Sequence, residues 1–189
     1  MINVLIVEDD PMARKLLEIY INDSEEYKLS QSIESAAMAE LYCRRNPIDL
    51  ILMDVCTAMD ANGLDAAAKI KKSCPHIKII IVTSQPEFSF IERARKAGVE
   101  SFWYKSASAE EIIEVMNITM AGDSVYPDTT PSLRLGEALN VDFTEKELLV
   151  LREVVDGEAD ADIAEKLGMS LRTVKAHIQN MRDKTGFRN

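Results

Sequence analysis

Four short apolar runs, INVLIV (2–7), DLILM (49–53), IKIIIVT (77–83) and ESFWY (100–104), recur through the chain, each rich in β-branched or aromatic residues. Runs of this length with little polar alternation read as strands buried on both faces. Between them lie PMARKLLEIYIND, ESAAMAELYCRRN, GLDAAAKIKKSC and EFSFIERARKAG, followed by SAEEIIEVMNITMAG, all with apolar residues at helical spacing. YKLSQSI (27–33) is a weaker strand candidate after the first helix. Strands alternating with helices of roughly ten to fifteen residues need right-handed crossovers. The residues therefore predict an α/β fold over 1–121: a doubly wound, five-stranded parallel sheet covered by helices on both faces.

A chain of 189 residues has room for that domain and a small second one. The 47% apolar and 29% charged content is that of a globular protein, not a disordered or fibrous one. No apolar run reaches the length of a membrane span, and INVLIV is followed at once by acids, with no basic segment ahead of it. The expectation is a chain neither secreted nor membrane-embedded. Cys43, Cys56 and Cys74 show no C-x-x-C spacing, so neither a disulfide framework nor a zinc site is indicated, and a reducing cytoplasm fits best. GDSVYPDTTPSLRLGEALNVD (122–142) gathers prolines and glycines without periodicity and reads as a linker. After it the pattern is purely helical.

In such a sheet the ligand site lies at the carboxyl ends of the strands. The residues there are Glu8, Asp9 and Asp10, then Asp54, then Thr83 and Ser84, then Lys105. Carboxylates without histidine or cysteine suit a hard cation with oxygen ligands, Mg2+ above all. A lysine and a hydroxyl beside them are what phosphoryl transfer needs, since that chemistry is mostly positioning and charge neutralisation. Asp54 is then the nucleophile, and Lys105 the partner of the phosphate. Each residue alone has an ordinary explanation: Asp10 before Pro11 reads as a helix cap, Thr83 as a strand-end hydroxyl, Lys105 as an exposed lysine. Capping does not explain why they fall on successive strand ends. The chain has no G-x-x-x-x-G-K loop, so ATP is not an expected direct ligand.

LIVEDDP, DLILMDV, IIIVTS and SFWYKS resemble the motifs of a response-regulator receiver domain, a likeness that covers residues 1–121. The resemblance implies that a histidine kinase donates a phosphoryl group to Asp54, with Mg2+ held by Glu8, Asp9 and Asp54. It makes Thr83 the switch hydroxyl, Lys105 the phosphate partner, and Phe102 a switch aromatic that turns inward on phosphorylation. Chemistry beyond self-directed phosphotransfer and aspartyl-phosphate hydrolysis is not expected, so the chain is not read as an enzyme. DVCTAMDANG departs from the pattern. It lacks the proline that stiffens the loop and reaches Gly63 one residue late, so altered phosphorylation or dephosphorylation rates are expected. Cys56 reads as a small packing residue.

The net charge of −10 argues against a nucleic-acid partner only when averaged. From residue 166 onward Lys166, Arg172, Lys175, Arg182, Lys184 and Arg188 face a single acid, Asp183. DFTEKELLVLREVVDG starts with a Thr144 cap and continues as an amphipathic helix. DADIAEKLGMSLRTVKAHIQNMRDK reads as a helix, a turn at Gly168-Met169, and a second helix capped by Ser170, the helix-turn-helix plan. Arg172, Lys175, Arg182 and Lys184 supply charge for approaching phosphates. The stretch from Phe143 to Gly186 resembles the LuxR-type DNA-binding domain and, with the receiver, points to the NarL/FixJ group. It implies base-facing roles for Lys175, Ala176 and Gln179 and phosphate-facing roles for Thr173 and His177, with Arg172 in the same DNA-binding set. The family's fourth helix is not among residues 143–189; weaker DNA binding is expected only if the protein naturally lacks it. Together the two resemblances imply a cytoplasmic, phosphorylation-controlled transcriptional regulator that binds promoter DNA and forms a homodimer when phosphorylated. The alternative is a receiver-based module that sequesters a kinase or regulator without binding DNA.

Overall fold

The computed structural model describes residues 1–105, 109–128, 134–139 and 142–187, in two units, Met1–Thr130 and Pro131–Asn189. In the first, β1 (Ile2–Val7), α1 (Pro11–Asn22), β2 (Tyr27–Ile33), α2 (Ala39–Arg45) and β3 (Leu50–Met53) follow in order. A hairpin of two-residue strands, β4 (Cys56–Thr57) and β5 (Ala61–Asn62), comes next, then α3 (Gly63–Ser73), β6 (Lys78–Thr83), α4 (Phe88–Ala97), β7 (Ser101–Tyr104) and α5 (Ala109–Ala121). The five long strands form one parallel sheet ordered β2-β1-β3-β6-β7. That is the predicted doubly wound α/β sheet.

Successive side chains on a strand point to opposite faces, and here both faces are covered. Leu5, Val7, Ile51, Met53, Ile79 and Ile81 pack with Leu64, Ile70, Phe90 and Ala94 of α3 and α4. Val4, Ile6, Leu50, Leu52, Ile80 and Val82 pack with Leu17 and Ile21 of α1 and with Ile112 and Met116 of α5. Two-sided burial explains why the strands read as continuous apolar runs. Asp10 caps α1 as expected, accepting from the Met12 and Ala13 amides at 2.8 Å each.

Two details depart from expectation. The helix predicted over 34–46 starts as a 3-10 turn, Ala36–Met38, capped by Ser35, before α2 proper. Of the linker predicted over 122–142, residues 129–133 and 140–141 lie outside the described residues, and the rest includes packed segments. Val125 and Tyr126 lie on the first unit, where the Phe102 amide donates to the Val125 carbonyl at 2.8 Å. In the second unit, β8 (Arg134–Leu135) and β9 (Ala138–Leu139) make a small hairpin, with Gly136 in the left-handed region at φ 65°. Composition hid both, because neither needs a periodic apolar pattern.

The second unit continues with α6 (Glu145–Val155), α7 (Asp160–Lys166) and α8 (Leu171–Thr185). Its core joins Phe143, Val150, Ile163, Ala164, Val174 and Met181. Thr144 and Glu147 form the predicted capping box, and Ser170 caps α8 through the Thr173 amide. Among the described residues, no helix is long and apolar enough to cross a membrane.

Candidate functional site

Strand order reverses between β1 and β3, and the crevice at their carboxyl ends is where the acids meet. The ladder fixes the strand ends: the Glu8 amide donates to the Ile33 carbonyl and the Asp54 amide to the Val7 carbonyl, both at 2.9 Å. Asp54 Oδ1 accepts from the Val55 amide at 2.6 Å, and Oδ2 accepts from Lys105 Nζ at 2.8 Å. Glu8, only 1% exposed, accepts from the Asp10 amide through Oε1 at 3.1 Å. Its own carbonyl is held by Arg14 Nη1 at 3.0 Å, and Arg14 also pairs with Glu34. Lys105 Nζ lies 2.6 Å from Glu8 Oε2, but out of line for a hydrogen bond. This buried oxygen therefore has a counter-charge and no donor.

Glu8, Asp9 and Asp54 each offer a carboxylate oxygen within 4.8 Å of the others. They line a pocket of about 290 Å³ together with Asp10, Cys56, Thr83, Ser84, Gln85 and Lys105. An all-oxygen set with one buried acceptor lacking a donor fits a hard, oxygen-preferring cation. Burial pushes the Glu8 carboxyl up to about 7 against the pull of Lys105. Burial also works against the Lys105 charge, but its hydrogen bond to Asp54 and the Glu8 carboxylate beside it outweigh that and raise its pKa. The ammonium thus stays charged in the crevice. Thr83 is 1% exposed, and its Oγ1 accepts from the Gln85 amide at 3.1 Å. The strand ends singled out in the sequence thus share one pocket. Gln85 and Ala13 line it too; their only signal was position, two residues past a strand end and in the first turn of α1.

The long loop after Asp54 resolves as the β4–β5 hairpin. At its tip Met59 (φ 64°) and Asp60 (φ 52°) adopt left-handed backbone, a conformation that carries strain for residues with a side chain. Side-chain bonds replace the missing proline. Thr57 Oγ1 donates to the Ala61 carbonyl at 2.6 Å and accepts from the Ala36 amide, and Ser35 Oγ donates to the Ala58 carbonyl. Gly63 closes the loop so tightly that a Cβ there would fall 1.8 Å from the Asp54 carbonyl oxygen.

Phe102, expected as a switch aromatic, lies on β7. It is already inside, 1% exposed, with its ring 5.1 Å from Tyr104 and 6.4 Å from Tyr126. The ring thus occupies the inward position in this structure.

In the second unit, α7, a turn through Gly168 (φ 63°) and α8 build the helix-turn-helix. Val174, Met181 and Thr185 face the core, while Arg172, Thr173, Lys175, Ala176 and Gln179 lie exposed along the other side and His177 is half-buried. Gln179 Nε2 donates to Asp183 Oδ1 at 2.8 Å. Lys184, expected to serve phosphate approach, instead reaches inward: its Nζ lies 2.7 Å from Glu147 Oε2 and 2.8 Å from the Asp142 carbonyl. Lys166 pairs with Glu153.

Comparison with known proteins decides the family. Residues 4–117 match the model of the response regulator receiver domain, and residues 141–189 that of the bacterial regulatory proteins of the luxR family. The chain belongs to the response regulators of the NarL/FixJ group. Response regulator protein VraR of Staphylococcus aureus is 30% identical over 188 residues, covering 97% of this chain and 90% of VraR, and VraR of Staphylococcus epidermidis matches equally. Salmonella typhimurium RcsB response regulator shares the fold at 18% identity and a TM-score of 0.63, over 100% of this chain and 95% of that one. A structure of the RcsB–DNA complex aligns with a TM-score of 0.63 at 20% identity, over 100% of this chain and 93% of that one. This response regulator therefore carries a receiver, which contains the acidic crevice, and a LuxR-type DNA-binding domain, which contains the exposed face of α8.

Proposed function

We propose that this regulator accepts a phosphoryl group on Asp54 from a sensor histidine kinase, and that the modified receiver directs α8 to promoter DNA. The observation that supports it most is the convergence of Asp54, Lys105, Thr83 and the donor-free Glu8 oxygen on one pocket. An Asp54 carboxylate oxygen forms the new O–P bond as the P–N bond of the donor phosphohistidine breaks, and the leaving imidazole keeps the electron pair. Lys105, held beside Asp54 by charge, is placed to exchange the carboxylate for a phosphoryl oxygen. Thr83 Oγ1, which accepts from the Gln85 amide, keeps its proton free to donate to another. Glu8, Asp9 and Asp54 would hold Mg2+, which when bound neutralises charge on the carboxylates and the phosphoryl oxygens. Water attack on the acyl phosphate returns Asp54 and releases inorganic phosphate. No external substrate is turned over, and a cytoplasmic setting goes with this chemistry.

On DNA, Lys175, Ala176 and Gln179 would face bases, and Arg172, Thr173 and His177 phosphates. A phosphorylated homodimer would place two such helices roughly 34–36 Å apart, one DNA turn. The test is binding of the full chain to duplexes it selects from a random pool, with and without acetyl phosphate and Mg2+. The donor should tighten binding of the wild type and leave Asp54→Ala unchanged. Binding absent at low salt would favour the sequestering module instead.

A further inference from the structure

Residues 123–127 follow α5 and lead in sequence toward the DNA-binding unit. They lie along β7, the edge strand of the sheet. The Phe102 amide donates to the Val125 carbonyl at 2.8 Å, and the Val125 amide donates to Ser101 Oγ at 3.0 Å. Val125 joins the core on the α1–α5 face, and Tyr126 the core on the α3–α4 face. Adjacent residues thus split between the two faces, as in a strand. Tyr126 is the anchor. Its hydroxyl donates to the Val99 carbonyl at 2.8 Å, and its ring lies 3.9 Å beneath the Arg95 guanidinium carbon.

This short segment is bound to the residues next in line from the phosphoacceptor site. Thr83 pairs with Tyr104 and Ile81 with Phe102 in the β6–β7 ladder, and the Lys105 amide donates to the Thr83 carbonyl at 2.9 Å. Phe102 sits three residues before Lys105, about 10 Å along the strand. Phe102 is enclosed in this structure. A displacement of the β7 end has to be taken up by what leans on that strand. A five-residue strap held by few bonds is the part that gives way first.

We propose that residues 123–127 form an intramolecular latch on the edge of β7, anchored by Tyr126 under Arg95, which is released when Asp54 is phosphorylated. Lys105 and Thr83 turn toward the phosphoryl group, the carboxyl end of β7 follows, and the edge bond at Phe102 opens. The chain between the two domains then lengthens by the freed residues. Reciprocity applies: a phosphoryl group that weakens the latch is itself favoured when the latch is weak. The latch rests on the phosphoacceptor reading of Asp54.

The test is hydrogen exchange at the Phe102 amide in the full chain, before and after treatment with acetyl phosphate and Mg2+, with intact mass read on the same samples. Tyr126→Ala and Arg95→Gln are run beside the wild type. Both variants should exchange about tenfold faster without donor. The wild type should show the same acceleration once the adduct is present, and both variants should carry more adduct than the wild type at one donor concentration. Adduct with Phe102 protection unchanged overturns the latch and leaves phosphoacceptance standing. Variants that exchange and accept phosphate like the wild type also overturn it. No adduct in any of the proteins would remove the phosphoacceptor reading and the linkage with it.

Discussion

At Asp54 the backbone has almost no slack. A methyl group on Gly63 would meet the Asp54 carbonyl oxygen at 1.8 Å and Met53 Cγ at 2.9 Å, so Gly63→Ala must push the strand end that carries the carboxylate. The expected cost is about 3 kcal/mol in the receiver transition of a denaturant titration, with loss of phosphoacceptance. A wild-type midpoint would contradict that. Glu147 makes a second local prediction. Burial raises its carboxyl, but bonds from Lys184 and from Thr144 outweigh burial and hold it below its usual range. A carboxyl lowered on folding adds stability that is present above its unfolded pKa, about 4.3, and is lost as pH falls through the folded value. The DNA-binding unit should therefore lose stability below about pH 4.3, and Lys184→Met should flatten that slope in thermal melts. An unchanged slope would mean that the pair does not hold the unit together. These residues also mark what the sequence could tell. Glu8, Asp9, Asp54, Thr83 and Lys105 were legible because a parallel sheet gathers its strand ends, so the residue after each strand names the site. Lys184 was not, because a basic side chain on a basic helix shows no sign of the buried acid, Glu147, that tertiary packing brings beneath it.

Among the elements, the long strands and helices announce themselves through double-faced burial and helical spacing. The β4–β5 hairpin and the segment at 123–127 do not. Two-residue strands carry no period, and a segment bonded to an edge through its backbone needs no pattern in its side chains. For α8, where Gln179 and Arg172 are both exposed, the expected effects differ in kind. Gln179→Ala should cost roughly 1–3 kcal/mol on the preferred duplex and relax the choice at one base pair, whereas Arg172→Ala should weaken all duplexes alike and lower the salt slope by about 1. Binding isotherms over a salt series on selected and scrambled duplexes separate the two. Equal losses on both duplexes for Gln179→Ala would remove it from base contact.

At the scale of the molecule, each unit has its own core and its own chemistry. The receiver holds the acidic crevice around Asp54, and the basic residues fall on the α8 side of a chain whose net charge is −10. The proposed function requires that a covalent change in the first unit reach the second. That change is read most directly as the intact mass of the protein after incubation with acetyl phosphate, with Mg2+ or with chelator, beside Asp54→Ala. One phosphoryl adduct on the wild type, absent in Asp54→Ala and absent without the metal, is the predicted result. An adduct that survives Asp54→Ala, or none at all, would contradict it.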